Sequence, residues 1–321
     1  MDLKRNTMIK ALIVEPTSLA PVNYWRLYRP LQIMRQMHTG IKNGFTWDVK
    51  DKVQEGDLMA YDWLIMARPS KAPEMELIAT AKKCGLKVAV DYDDDLLNIP
   101  AMHPAFGTFY DEARQKVIKS AAAVADVLWC STESIKQTFG REDAWVIPNA
   151  ILPSDLPTEP APNNRIAAWR GREQQYIDAT LQMWASGWYD KIKDIPDKWL
   201  WMGWMPVPTV TPKSVFLKYD NILKYMDFLK GSGINIMWKP LYDCRFNDGK
   251  SNIAWLEATM AGGVCVTNYA GKPGWEYCLP DFDFDTNVLK RKWKISRDVI
   301  YDNYNLYKLA ELRLNSLLEC P

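Results

Sequence analysis

Short, uniformly apolar runs separated by helix-length segments recur along this 321-residue chain, and that alternation leaves few architectures open. The runs are KALIVE at 10–15, DWLIMA at 62–67, LKVAV at 86–90, DVLWC at 126–130 and WVIPNA at 145–150. They resume with IAAW at 166–169, KWLWMGW at 198–204, INIMW at 234–238 and VCV at 264–266. Runs without polar alternation suit strands buried on both faces, the condition of a parallel sheet covered by helices. Helical patterns lie between them, from Tyr24 to His38, through Ile78, and from Ala113 to Val124. The expected class is α/β, with doubly wound parallel sheets.

The series is interrupted once. Residues 151–165, ILPSDLPTEPAPNNR, hold four prolines and little apolar periodicity, which predicts a linker. At 37.0 kDa the chain also exceeds the usual size of one core. Two Rossmann-like domains are therefore expected, at 1–150 and 166–294. An amphipathic helix over Ile295 to Leu318 falls in a final segment, 295–321. Ligands of open α/β sheets sit beyond the carboxyl ends of the strands, so two facing sheets would enclose a cleft lined by strand-end loops.

Composition removes several classes. Forty basic against 39 acidic side chains give a net charge of +1, so no global field advertises a polyanionic partner. Six cysteines without a C-x-x-C pair, and only two histidines, argue against a structural zinc site. The N-terminus lacks a signal-peptide core, and no run approaches the roughly 18 apolar residues of a membrane helix. A cytoplasmic protein without membrane insertion is expected. Neither G-x-G-x-x-G nor G-x-S-x-G occurs, which disfavours nicotinamide binding and serine hydrolysis.

The most informative stretch is FNDGKSNIAWLEATMAGGVCVTN at 246–268. It predicts a turn at Asn247, Asp248 and Gly249, one amphipathic helix carrying Ile253, Leu256 and Met260, a break at Gly262-Gly263 and a buried strand. Lys250 and Ser251 fall at the helix start, where unpaired backbone N–H groups and the helix dipole favour a phosphate. The GKS triplet is not a P-loop, because the glycine required five positions before Gly249 is Cys244. An ordinary capped surface helix is the alternative.

Three strand-end clusters could carry chemistry. Asp91-Tyr92-Asp93-Asp94-Asp95 follows LKVAV. Carboxylates this close repel, so at least one is expected to have a raised pKa and to accept a proton from a hydroxyl. A divalent-metal site and a solvated helix cap are the other readings. Arg170-Gly171 closes the strand IAAW, with a fixed charge and a backbone that a diphosphate can approach. The loop after the first strand carries Asn23, Tyr24, Trp25 and Arg26, then Arg29-Pro30. Aromatic faces there suit a sugar or base, or simply the core. The tryptophans at 169, 184, 188, 199, 201 and 204 are expected to place some rings on the cleft.

The order Pro240-Leu241, Phe246-Asn247, Lys250-Ser251, Leu256-Glu257-Ala258 and then a glycine-led strand resembles the nucleotide-binding segment of GT-B glycosyltransferases. The likeness is greatest to the glycosyltransferase 1/4-like group, with its polysaccharide and phage enzymes. That resemblance implies a nucleoside-diphosphate sugar donor, with UDP expected; no further cofactor or metal is expected, since Arg170 and Lys250 would supply the positive charge that a metal otherwise brings. Asn247, Lys250, Ser251, Arg170 and Gly171 would hold the diphosphate side of the donor, and Glu257 its ribose. Asp91, Asp93 and Asp94 would be catalytic, since a similar acidic turn ends the same strand in that group. Tyr24, Trp25, Arg26 and His103 would lie on the acceptor side, and the terminal helix would cross back to the first domain. The enzyme would be a hexosyl- or pentosyltransferase acting on a saccharide or a hydroxymethylated DNA base. One position departs from the group: many members place an acid eight residues before the ribose-binding glutamate, where this chain has Gly249 and only the adjacent Asp248 could replace it. A GT-B-shaped binding protein without transfer activity is the alternative that this departure supports.

Overall fold

The structure is a computed structural model. It describes residues 8–14, 23–38, 44–101, 103, 105–171, 190, 193–203, 214–217, 221–241 and 243–320, with the backbone alone at 170, 171, 203 and 216. Its frame is two parallel sheets. The first contains β1 (Ile9–Val14), β2 (Phe45–Lys50), β3 (Trp63–Ala67), β4 (Lys87–Tyr92), β5 (Val127–Cys130) and β6 (Trp145–Val146), in the order β2-β1-β3-β4-β5-β6. The second contains β7 (Ile166–Gly171), β8 (Lys198–Gly203), β9 (Ser214–Leu217), β10 (Ile236–Trp238) and β11 (Val264–Val266), in the order β11-β10-β7-β8-β9. β2 and β9, which the apolar runs did not announce, are both edge strands. An edge strand is partly exposed, as β2 is along most of its length, and has no need of a continuous apolar run.

Strand alternation divides the apolar residues between faces. In the first sheet Leu12, Leu64, Val88, Val90 and Leu128 face one core, while Ala11, Ile13, Ile65, Ala89 and Trp129 face the other. The second sheet is packed around Trp169, Trp199, Trp201 and Trp238, all buried. Those rings form its core instead of lining a cleft; Trp184, Trp188 and Trp204 lie outside the described residues.

The helices that matter for the site are α1 (Arg29–Met37), α2 (Ile222–Gly231), α3 (Ile253–Met260), α4 (Thr286–Asn303) and α5 (Leu306–Leu318). A π-helical turn, Tyr24–Tyr28, leads into α1. Between α3 and β11, Gly262 has φ +85°, and a Cβ at Gly263 would lie 2.3 Å from the Ile234 carbonyl oxygen, so β11 reaches β10 only because this pair is glycine.

The single terminal helix expected over Ile295 to Leu318 is two. α4 ends at Asn303, and α5 restarts after Asn305, whose side chain accepts from the Tyr307 N–H. α4 stays on the second domain, where the Trp293 indole donates to the Thr259 carbonyl (3.0 Å) and the Trp255 indole to the Ser296 hydroxyl (2.9 Å). α5 alone crosses back, packing Leu309, Ala310, Leu314 and Leu317 with Leu27, Leu31 and Met34. The two chain crossings are fastened together, since Ile151 exchanges backbone hydrogen bonds with Tyr304 (3.2 Å) and Leu306 (3.0 Å).

A buried ion triad locks α5 down. The Asp91 carboxylate accepts from Arg26 Nε and Nη2 (2.9 Å each) and from Arg313 Nη2 (2.8 Å), and all three side chains are at most 2% exposed. The domains also trade residues: Trp25 belongs to the second-domain core, and Phe246 to the core of the first. Removing the charge at Asp91 strands two buried guanidinium groups. Asp91→Asn is expected to cost about 3–5 kcal/mol of unfolding free energy, measured by urea titration. A loss below about 1 kcal/mol would show that the triad does not hold the terminal helix.

Candidate active site

The segment before α3 does more than start a helix. It crosses from the second domain onto the first. A single helical turn, Arg245–Asp248, lodges the Phe246 ring against His103, with centroids 5.1 Å apart. Thr132 Oγ1 then donates to the Gly249 carbonyl at 3.2 Å. A Cβ at Gly249 would lie 3.2 Å from Asp95 Cβ and 3.3 Å from Ile135 Cγ1, so any side chain here would press against the first domain. That contact is a physical reason for glycine where the resembling enzymes carry an acid.

Lys250 comes next, and its ammonium reaches across the cleft to Asp94 Oδ1 at 2.6 Å, lying 4.5 Å from the Phe246 ring centroid. α3 itself begins three residues later than expected, with Asn252 in the cap position, and it is not amphipathic. Every residue from Ala254 to Met260 is buried, because the sheet and the neighbouring helices enclose it. Glu257 is 0% exposed and accepts from the Tyr225 hydroxyl on α2 at 2.9 Å, so in this conformation it does not open onto the cleft. Asn247 is buried, and Ser251 is partly exposed beside Lys250.

The acidic turn also differs from expectation. β4 runs two residues past LKVAV, so Asp91 lies inside a strand and points into the Arg26–Arg313 triad. Burial favours its neutral form, but the two guanidinium charges outweigh that and hold its pKa below the usual range. Asp93 accepts from Arg68 Nε, and Asp94 takes Arg68 Nη2 at 2.6 Å on one oxygen and Lys250 on the other. Burial raises the Asp94 pKa, yet Lys250 and Arg68 bring it below normal. Only Asp95 is raised, through burial; it accepts from Asn98 and Thr138, and its Cβ faces Gly249. The mutual repulsion anticipated for this turn is thus removed by cations brought from elsewhere in the chain.

The loop after β1 is a second correction. Arg26 is 1% exposed and donates to Asp91 and to the Ile147 carbonyl (2.6 Å), so it serves the fold and does not face an acceptor. Trp25 is in the core, and Tyr24 packs against it edge-on at 5.7 Å. His103 does join the cleft cluster. Its Nδ1 accepts from the Ala105 N–H at 3.1 Å, and its buried Nε2 has no partner among the described residues. Burial, with Lys250 nearby, pushes its pKa down to about 4, against the pull of Asp94. Arg170 and Gly171 end β7 as expected, paired with Met202 and Gly203; the Arg170 side chain lies outside the described residues.

Sequence inspection missed Arg68. It follows β3 directly, adopts left-handed backbone (φ 52°), donates its N–H to the Asp91 carbonyl at 2.9 Å and clamps both Asp93 and Asp94. The strand-end rule that picked out Arg170 applies equally to the residue after DWLIMA. Among the described residues no group of three metal-binding side chains occurs, and no helix is long and apolar enough to cross a membrane.

No protein-family model and no curated protein matches the chain. Solved structures do. A glycosyltransferase from Rickettsia africae ESF-5 is 10% identical, with 98% of this chain and 99% of that one covered at a TM-score of 0.56. An E. coli trehalose-6-phosphate structure with bound UDP-2-fluoro glucose is 12% identical, covering 96% and 98% at 0.56. The UDP-GlcNAc 2-epimerase of Methanocaldococcus jannaschii is 10% identical, covering 98% and 100% at 0.52. At such identities the likeness is one of fold, and the fold is GT-B.

The neutral imidazole of His103 has a consequence for stability. Its pKa is about 4 when folded against 6.5 as the ordinary value, so the stability it contributes is present above pH 6.5 and is lost as pH falls toward 4. His103→Gln should therefore lose less stability than the parent between pH 6.5 and 4, read from urea midpoints. Parallel profiles would mean that His103 protonates freely in the fold.

Proposed function

We propose that this chain is a glycosyltransferase that moves a sugar from a nucleoside-diphosphate donor to a hydroxyl acceptor, and that the diphosphate binds between Lys250, Ser251 and the start of α3. The observation that carries this reading is Lys250 itself: a largely buried ammonium two residues before the cap of α3, beside a glycine, facing the other domain across the cleft. Anion binding uses such a site twice, through the fixed charge and through the unpaired N–H groups of the helix start. The UDP-2-fluoro glucose bound in the E. coli fold neighbour makes UDP the first nucleotide to test.

Chemically, departure of a nucleoside diphosphate develops negative charge, which Lys250 stabilises together with Arg170 at the end of β7. Gly171 gives the diphosphate room at the same strand end. Glu257 and Asn247 support the donor from behind the loop, with Glu257 positioned through Tyr225. Asp93 and Asp94 are the groups placed to take the acceptor's proton. A carboxylate held down by cations is a weak base, so the basicity of Asp94 grows once Lys250 turns toward the diphosphate. Arg68, Lys250, Asp93 and Asp94 sum to zero charge. A neutral saccharide suits that cleft better than a DNA backbone, which needs an excess of cations. We read the acidic turn as one without metal, since Arg68 and Lys250 supply positive charge to both Asp94 oxygens and to one oxygen of Asp93.

A nucleotide-sugar screen of the pure protein by mass spectrometry, with saccharide acceptors, tests the reading as a whole. Binding without hydrolysis or transfer would leave a nucleotide-sugar binding protein, an alternative favoured by the neutralised Lys250. Lys250→Ala is expected to weaken UDP binding by about tenfold or more in calorimetry, as a charge-assisted contact is worth about 1.5–3 kcal/mol. An unchanged Kd in a folded variant removes Lys250 from the site. EDTA should leave turnover intact; loss that manganese restores would make the acidic turn a metal site.

A further inference from the structure

The donor lysine of the proposed site is already occupied. Lys250 Nζ lies 2.6 Å from Asp94 Oδ1, the spacing of a strong charge-assisted hydrogen bond and the spacing a phosphate oxygen would need. Both side chains are less than a fifth exposed, so water screens the pair weakly. An incoming diphosphate would meet Asp94 as a like charge in a partly desolvated space, which is unfavourable for both anions. One of them has to leave the ammonium.

The fold provides for that departure. Asp94 Oδ2 is held by Arg68 Nη2 at 2.6 Å, and Arg68 is itself fixed by its N–H bond to the Asp91 carbonyl and by its left-handed backbone. A guanidinium offers a planar fork of donors, so Asp94 can give up Lys250 and remain neutralised. The Thr132–Gly249 bond and the seating of Phe246 keep Lys250 within reach of Asp94 as long as the domains are together.

We propose that Asp94, retained by Arg68, is a tethered competitor for the donor: it occupies Lys250 as a carboxylate stand-in for phosphate until a nucleoside diphosphate displaces it. Asp94 and Arg68 thereby set donor affinity, and the Asp94–Lys250 pair is a latch between the domains that donor binding opens. The proposal rests on the reading that Lys250 binds the diphosphate. It makes an unusual demand on sign, because removing a charged residue from the site should improve ligand binding.

The experiment is calorimetry of UDP and of inorganic pyrophosphate, the latter independent of the base, on the full chain with Asp94→Asn, Lys250→Ala and the double variant. Asp94→Asn should bind both probes about tenfold more tightly than the parent, the scale of one charge-assisted bond. Lys250→Ala should weaken them, and in that background Asp94→Asn should no longer tighten binding. If Lys250→Ala weakens binding while Asp94→Asn leaves it equal or weaker, the competitor is overturned and the Lys250 site stands. If Lys250→Ala changes nothing, or neither probe binds parent or Asp94→Asn, the site and the competitor fall together. Should Asp94→Asn not fold, hydrogen exchange on the parent decides. UDP should slow exchange at 250–257 and speed it at 92–98, where the latch has opened; slowing in both segments overturns the proposal.

Discussion

A single buried carboxylate fixes the geometry on which the rest depends. Asp91 is enclosed by Arg26 from the turn after β1 and Arg313 from α5, and no water-exposed position exists for any of the three. Two cations around one anion leave a net buried charge, and burial accordingly lowers the Arg313 pKa to about 10 despite Asp91. The arrangement persists because the fork geometry and the Ile147 carbonyl satisfy Arg26, while the Trp129 ring lies 4.5 Å from the Arg313 guanidinium. By pinning the end of β4, the triad determines where Asp93 and Asp94 emerge. Through the Asp91 carbonyl it also determines where Arg68 stands.

From that anchor the cleft acquires its electrical character. The acidic turn, read alone, is a field of repelling carboxylates. With Arg68 on one side and Lys250 arriving from the other domain it becomes a neutral quartet. The lowered pKa of Asp94 describes a group that gives up its charge with difficulty and exchanges cations more readily than it takes a proton. One ion pair, Lys250 with Asp94, thus joins the two domains at this turn and sets the charge of its carboxylate.

The sequence revealed what depends on local chemistry and hid what depends on partners far along the chain. Most strands were visible as apolar runs, the edge strands β6 and β11 included; β2 was not, because its exposed edge carries polar Thr46, Asp48 and Lys50, and β9 was not, because its run of three apolar residues is short. The return of α5 was expected, but the break before it was concealed by apolar periodicity that continues from Ile300 to Leu306, with Asn305 as the sole cap signal. The helix and strand of 246–268 were legible from its glycines and helical spacing, and Lys250 stood out just ahead of them. Its partner was not legible, since Asp94 lies 156 positions away. Adjacency misled at Asp91, where strand alternation turns a neighbour of the cleft into the core, and at Arg26, whose position by a strand end gave no hint of the triad.

The lateness of α5 bears on how the chain is made. One face of the first sheet is closed by Leu309, Ala310, Leu314 and Leu317, yet the last strand of that sheet, β6, ends at Val146. Roughly 160 residues separate that strand from the helix that covers it. At about 5–20 residues per second, the nascent first domain would present that uncovered apolar face for on the order of ten to thirty seconds. During that time Asp91 has Arg26 but not Arg313. The first domain is thus the first to be synthesised and the last to be finished, which places its principal aggregation hazard on the ribosome instead of in the folded protein.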